Sequence, residues 1–218
     1  MADLRLYIGY PGVSSWSLRG WLAARKSGLV FEETIVDYRR PEGKERLRAL
    51  SPNGLVPLLV HKRDAGDVMV WESLAVCEYL SELAPAARLW PNDPAARAVA
   101  RSVASEMHAG FGTLRQALDM ALLERRNVEI DAAVREEVGR IDAIWTGCRR
   151  DWGTAQGEQW LFGHFTIADA MFAPVATRFR TYGVALSEAA LAYQEAILSD
   201  PDFLLWEDMA RQHPAPER

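Results

Sequence analysis

Ser51-Pro52-Asn53-Gly54-Leu55-Val56-Pro57-Leu58-Leu59-Val60 reads as a turn that runs into an apolar strand. Proline donates no backbone hydrogen bond, so Pro57 suits the first position of a strand better than the middle of a central one. Beyond a short polar interruption comes Trp71-Glu72-Ser73-Leu74-Ala75-Val76-Cys77-Glu78-Tyr79-Leu80. This second stretch reads as a strand end passing into a helix, with an acid and a hydroxyl at the helix mouth. Strand, turn, strand and helix in so few residues set the pattern against which the rest of the chain is read.

Upstream, residues 4–9 alternate like a strand and residues 14–28 repeat helically through Leu18 and Leu22, with Gly28 as the stop. Residues 31–37 form a second strand and 41–50 a short charged helix. Residues 57–61 and 68–71 are two strands joined by the turn Arg63-Asp64-Ala65-Gly66-Asp67. Residues 73–83 close the series with a helix whose inner stripe is Val76, Cys77, Leu80 and Leu83. The order is βαβαββα. A helical crossover makes the first two strands parallel, and the last two form a hairpin.

After residue 83 the composition changes. Residues 84–94 hold three prolines and read as a linker. From 95 onward only helical periodicity remains. One long helix is expected over 95–125, with Val99, Val103, Met107, Gly110, Leu114 and Leu118 on one side. Further helices are expected over 129–150, 166–182, 187–198 and 201–212. The expected domains are therefore 1–83 and 95–218, with 84–94 between them.

The totals remove several classes of function. A hydrophobic share of 49% supplies a core, and a formal net charge of −5 gives no basic excess for nucleic acid. No apolar run approaches the ~18 residues of a membrane span, and the N-terminus carries no secretory pattern. Cys77 and Cys148 stand far apart, and the four histidines show no ligand spacing, so no metal is expected. Unpaired cysteines suit the cytoplasm.

Three helix starts carry polar groups. Thr166 with Asp169 three residues on is an acidic variant of the capping box and reads as structural. Ser73, preceded by Glu72, caps the third helix. The unpaired N–H groups and partial positive charge there suit a carboxylate. Ser14-Ser15-Trp16-Ser17-Leu18-Arg19 sits where the first strand hands over to the first helix. A hydroxyl at a helix N-terminus can stabilise a thiolate by a charge-assisted hydrogen bond, helped by the helix dipole. A serine hydrolase is disfavoured, because there is no GxSxG and no placed histidine.

Taken together, the serine pair, the Val-Pro before the third strand, the Glu-Ser at the third helix, the proline-rich connection and the helical half with its Thr-Ile-Ala-Asp cap resemble the cytosolic glutathione S-transferases. The resemblance spans essentially the whole chain. The Ser-Ser-x-Ser-x-Arg run looks most like the serine-type zeta class and its bacterial relatives. It departs at Trp16, where the zeta residue is usually cysteine, and that departure weighs against carrying the zeta isomerase activity over. Omega- and beta-like members have a cysteine where Ser14 stands, so Ser14 favours thiolate stabilisation over mixed disulfides.

The resemblance implies an α/β thioredoxin-like N-terminal domain followed by an all-α C-terminal domain, with glutathione as co-substrate. It implies that Ser14, backed by Ser15, hydrogen-bonds the glutathione sulfur. Val56, ahead of a cis Pro57 on an open strand edge, would pair its backbone with the cysteinyl part. Glu72 would lie near the γ-glutamyl amine and Ser73 at its carboxylate, with Lys44 at the glycyl carboxylate. The second substrate, a small hydrophobic electrophile, would lie between the domains against Tyr10, Pro11, Trp16, Met107, His108 and Phe111. Arg19 is read as tying the first helix to the second domain or pairing with a carboxylate, not as catalytic. A homodimer is implied as well, with no nucleic-acid or membrane partner. The alternatives are a glutathione-dependent cis-trans isomerase of the maleylacetoacetate type and a non-catalytic glutathione-binding module.

Overall fold

A computed structural model describes residues 3–153 and 159–216, so the parts of the expected domains at 1–2, 154–158 and 217–218 lie outside it. The first half is β1 (Leu4–Ile8), α1 (Ser15–Ser27), β2 (Phe31–Ile35), α2 (Pro41–Leu50), β3 (Leu58–His61), β4 (Val68–Trp71) and α3 (Ser73–Leu83). The sheet order is β2-β1-β3-β4. β1 and β2 run parallel, with Leu6 opposite Glu33, while β3 is antiparallel to both β1 and β4. The alternation of β1 buries Leu4, Leu6 and Ile8. They meet Leu18 and Leu22 of α1 and Val76 and Leu80 of α3 in the core. Gly28 ends α1 in the left-handed region at φ 72°.

The sheet order corrects one expectation. β3 is paired on both sides, so Val56-Pro57 does not lie along an open edge. It stands just before the strand, where the ladder has not yet begun, and this is why a proline is tolerated there. The bond is cis, as expected.

The helical half comprises α4 (Pro94–Ala109), α5 (Gly112–Ala117), α6 (Ala132–Trp152), α7 (Ile167–Tyr182), α8 (Glu188–Leu198) and α9 (Pro201–Gln212). The single helix expected over 95–125 is broken. Gly110 leaves the helix in an extended conformation, and Phe111 adopts the left-handed region at φ 57°. Two glycines flanking one residue lower helix propensity by roughly 1 kcal/mol each. The carboxylate of Glu137 in α6 then accepts from Leu114 N at 2.6 Å, and so satisfies the new helix start from outside.

α7 is the central helix of this half and is buried along almost its whole length. Trp145 of α6 packs its ring against Phe172, Phe179 and Tyr193 at 4.9–5.9 Å. The expected linker is strapped down. It contains a 3-10 turn at Pro85–Ala87, buries Leu89 and Trp90, donates from Trp90 Nε1 to Glu78, and accepts at Leu89 O from Ile167 N. Among the described residues no helix is long and apolar enough to cross a membrane.

Candidate functional site

β1 and α1 are joined by a tight turn in which Ser14 N donates to Tyr10 O at 2.9 Å. That turn places Ser14 at the N-cap of α1, and no acid stands in the first turn of the helix. The N-terminal N–H groups therefore carry a partial positive charge uncompensated by the acidic side chains of the helix's own first turn. In front of them lies a cavity of about 540 Å³ lined by Val13, Ser14, Ser15, Trp16, Tyr38, Lys44, Leu47, Arg48, Gly54, Leu55 and Val56. One wall is thus the mouth of α1, the second is α2, and the third is the turn that leads into β3. The Ser14 hydroxyl donates to Ser17 Oγ at 2.8 Å, and Gly9 N donates to the same oxygen at 2.9 Å. Lys44 and Arg48 make the α2 side cationic.

Glu72 and Ser73 form a second cluster. The N-cap of α3 is Glu72 and not Ser73, a correction to the expected cap. The charged oxygen is the stronger acceptor, and Glu72 Oε1 takes Leu74 N and Ala75 N at 3.1 and 3.2 Å. Its other oxygen lies 3.2 Å from His108 Nε2. Ser73 Oγ is buried and has no hydrogen-bond partner among the described residues. Trp16 links the two clusters: it lines the cavity, and its ring meets that of His108 edge-on at 5.3 Å.

Of the six residues expected to wall the acceptor, only Trp16 and His108 come together at this cavity. Trp16 lines the cavity and His108 backs it. Met107 is wholly buried and Phe111 nearly so, both inside the helical core, where the bend at Gly110 leaves them. Pro11 is buried, and its carbonyl accepts from Trp206 Nε1 at 3.0 Å. Tyr10 lines a different groove, between β2 and α9, with Trp21 and Met209.

In their place the structure brings three arginines around Trp16 and Ser15. Arg19 is fully buried, donates from Nε to Met171 O of α7 at 3.0 Å, and lies 4.3 Å from the Trp16 ring centre. Its expected role as the tie between the halves is met. Arg115 lies 5.4 Å from the same ring. Arg178 donates to Leu118 O and reaches Ser15 Oγ at 3.4 Å. Burial and the neighbouring Arg115 push the Arg178 guanidinium down to about 10. Burial, Arg178 and Arg115 push Arg19 well below the ordinary arginine range. Both Nη atoms of Arg19 and Nη1 of Arg178 are buried without a hydrogen-bond partner among the described residues. Such groups are costly unless an anion meets them. An arginine on a mostly apolar helix carries no sequence signal of this kind, whereas Ser17 stood in plain view within the serine run.

Known proteins match the chain in sequence and in overall fold. The family model described as "Glutathione S-transferase, N-terminal domain" matches residues 13–83, and "Glutathione S-transferase, C-terminal domain" matches residues 97–206. A maleylacetoacetate isomerase of Pseudomonas aeruginosa is 32% identical over 193 residues, 84% of each chain. The glutathione S-transferase GstB of Escherichia coli is 36% identical over 137 residues, 57% of this chain and 65% of the relative. Among solved structures, a maleylacetoacetate isomerase from Anaeromyxobacter dehalogenans superposes with a TM-score of 0.69 at 25% identity, covering 98% of both chains. A glutathione transferase homolog from Burkholderia, solved with bound glutathione, gives a TM-score of 0.71 at 24% identity over 97% of this chain and 99% of that one.

Proposed function

This chain belongs to the glutathione S-transferase family, a glutathione-dependent enzyme with the thioredoxin-like and helical halves of that fold, and we propose that Ser14 is the hydroxyl that activates the glutathione thiol. The observation that carries this reading is a single one: Ser14, Lys44 and Val56 line one cavity at the open mouth of α1. In the bound state the thiol gives its proton to solvent. Ser14 turns its O–H to the sulfur, and the thiolate pair forms a C–S bond as the electrophile's leaving group departs with its own pair. Lowering a thiol pKa by ~2 corresponds to roughly 2.7 kcal/mol. One hydroxyl hydrogen bond with a helix N-terminus is of that size. Ser15, held near Arg178, is the neighbouring contact.

Val56 presents its main chain to the cysteinyl part from just before cis Pro57. Lys44 faces the glycyl carboxylate, and Glu72 the γ-glutamyl amine. The buried, unpartnered hydroxyl of Ser73 supports its place at the γ-glutamyl carboxylate. The acceptor is a small electrophile with an apolar skeleton, set against Val13, Trp16 and Leu55. Residues 1–83 hold glutathione, 84–94 connect, and 95–218 form the helical domain. A second copy would pair across the β4 edge, where Met69 and Trp71 are exposed on one face. Both cysteines are free, which suits the cytoplasm.

A second reading, cis-trans isomerisation of a maleyl-type dicarboxylate, is favoured by the arginines around Trp16. The thiolate would add to the double bond, the resulting single bond would rotate, and the same thiolate would be expelled. Incubation with glutathione and either an aryl halide or a maleyl substrate separates the two: a conjugate accumulates in one, and glutathione is returned unchanged in the other. Ser14→Ala tests the shared step. Turnover should fall about a hundredfold while the KM for glutathione stays within about threefold. Unchanged turnover would sink the role given to Ser14.

A further inference from the structure

We infer that Ser17 is a positioning residue for the thiol-activating hydroxyl, held in register by the main chain of Gly9; this rests on the reading of Ser14 given above. A serine hydroxyl has one proton and two lone pairs. At Ser17 both lone pairs are engaged, by Gly9 N at 2.9 Å and by the Ser14 hydroxyl at 2.8 Å. Ser17 is wholly buried, so water does not compete for it. When a thiolate reaches the mouth of α1, Ser14 turns its proton away from Ser17 to the sulfur. Its own oxygen is then free to accept, and the proton of Ser17 is the donor 2.8 Å away. The result is a one-way chain: Gly9 N–H to Ser17, Ser17 O–H to Ser14, Ser14 O–H to the sulfur. Chains of this kind polarise one another, by about 10–30% per bond. The same contact fixes the rotamer from which Ser14 reaches the cavity.

Gly9 supports the arrangement a second time, independently of its N–H. A Cβ at this position would overlap the Tyr38 ring and come within 3.0 Å of Ser14 Oγ. Only a residue without a side chain lets the end of β1 approach the hydroxyl pair this closely. Position 9 therefore contributes both the donor that starts the chain and the space in which Ser14 sits.

The test is ultraviolet titration of the thiolate in enzyme-bound glutathione, with steady-state kinetics alongside, for the wild type, Ser14→Ala, Ser17→Ala, Ser17→Thr and the double alanine variant. Ser17→Ala should leave about 3- to 10-fold less thiolate at neutral pH and lower kcat in proportion, with the KM for glutathione unchanged. The double variant should match Ser14→Ala alone, because Ser17 acts through Ser14. Ser17→Thr, which keeps the hydroxyl, should recover most of the thiolate, and it serves as the folded comparison if Ser17→Ala is unstable. A wild-type titration for Ser17→Ala, or effects that add in the double variant, would overturn the inference while leaving Ser14 in its role. A wild-type titration for Ser14→Ala would overturn both.

Discussion

The mouths of α1 and α7 are the same kind of place used in opposite ways. Each is a helix start carrying a hydroxyl residue, Ser14 in one and Thr166 in the other. At α7 the protein supplies its own anion. Asp169 is fully buried and accepts from Thr166 N at 2.7 Å, Thr166 Oγ1 at 2.9 Å, Leu161 N at 3.1 Å and Tyr193 Oη at 2.9 Å. Burial pushes its carboxyl above the ordinary aspartate range, with those four donors working against the shift. Every lone pair is spoken for and no space is left. At α1 there is no acid, the hydroxyls bond one another, and a cavity stands in front. A helix start closed by its own carboxylate is a structural joint; one left without an anion is a place for somebody else's.

The sharpest way to break this contrast is at Asp169. Asp169→Ala strands two backbone N–H groups and two hydroxyls in the core, and should cost about 3–5 kcal/mol in denaturant unfolding. Whatever protein remains folded should still activate glutathione, so a selective loss of turnover at full stability would erase the distinction. Ser14→Ala is the mirror experiment. Its ~100-fold loss of turnover should come with less than about 1 kcal/mol of stability, read by the same unfolding curve.

Glu72 stands between the two cases, since its one carboxylate both caps α3 and faces the second cluster. Glu72→Ala should cost about 1 kcal/mol of stability and also raise the KM for glutathione about tenfold. Either effect without the other would assign Glu72 wholly to one side of the comparison.

The smallest effect expected is in acid. Burial alone would raise Asp202 and Glu207 of α9, but hydrogen bonds from Lys26 and Arg25 to the first, and from Arg180 and Arg211 to the second, hold both below their ordinary values. Their folded-state pKa values are depressed, so their contribution is present above the ordinary carboxylate range and is lost as pH falls through it. Unfolding midpoints measured from pH 6 down to 3 should drop less steeply in Asp202→Asn/Glu207→Gln than in the wild type. Equal slopes would show that these ion pairs do not hold α9.

Much of this was legible in the sequence, for reasons that differ by element. α2, β4, α3 and α9 begin and end where proline, serine and the apolar period place them. The break after Ala109 was hidden because Val103, Met107, Leu114 and Leu118 keep a helical spacing across it. The flanking Gly110 and Gly112 were the available signal, but the acid that stabilises the new start, Glu137, arrives from α6. At the site, the serine at the mouth of α1 and the Val56-Pro57 turn stood out because cap and turn chemistry is local, whereas Lys44 followed only from the family resemblance; that Ser14, Lys44 and Val56 line one cavity is a matter of packing. The acceptor wall was not legible. Which face of a helix meets a neighbour depends on packing between distant segments, and Arg178, unlike Arg19, reads as a surface residue until the fold encloses it.

One consequence follows from Arg19. Its guanidinium leaves α1 and bonds a main-chain oxygen of α7, so the helix that carries Ser14 at its mouth is held by both halves of the molecule. The two halves are therefore not interchangeable cassettes. A chimera joining residues 1–83 of this chain to the helical half of a relative would keep the Arg19 Nε bond only if the relative's backbone brings a carbonyl to the same spot, and it would have to bury the two Nη atoms that have no hydrogen-bond partner among the described residues here. An exchange made in the proline-rich connection separates α1 from the α7 carbonyl to which it is bonded, so the fit of that one contact has to be rebuilt in every such hybrid.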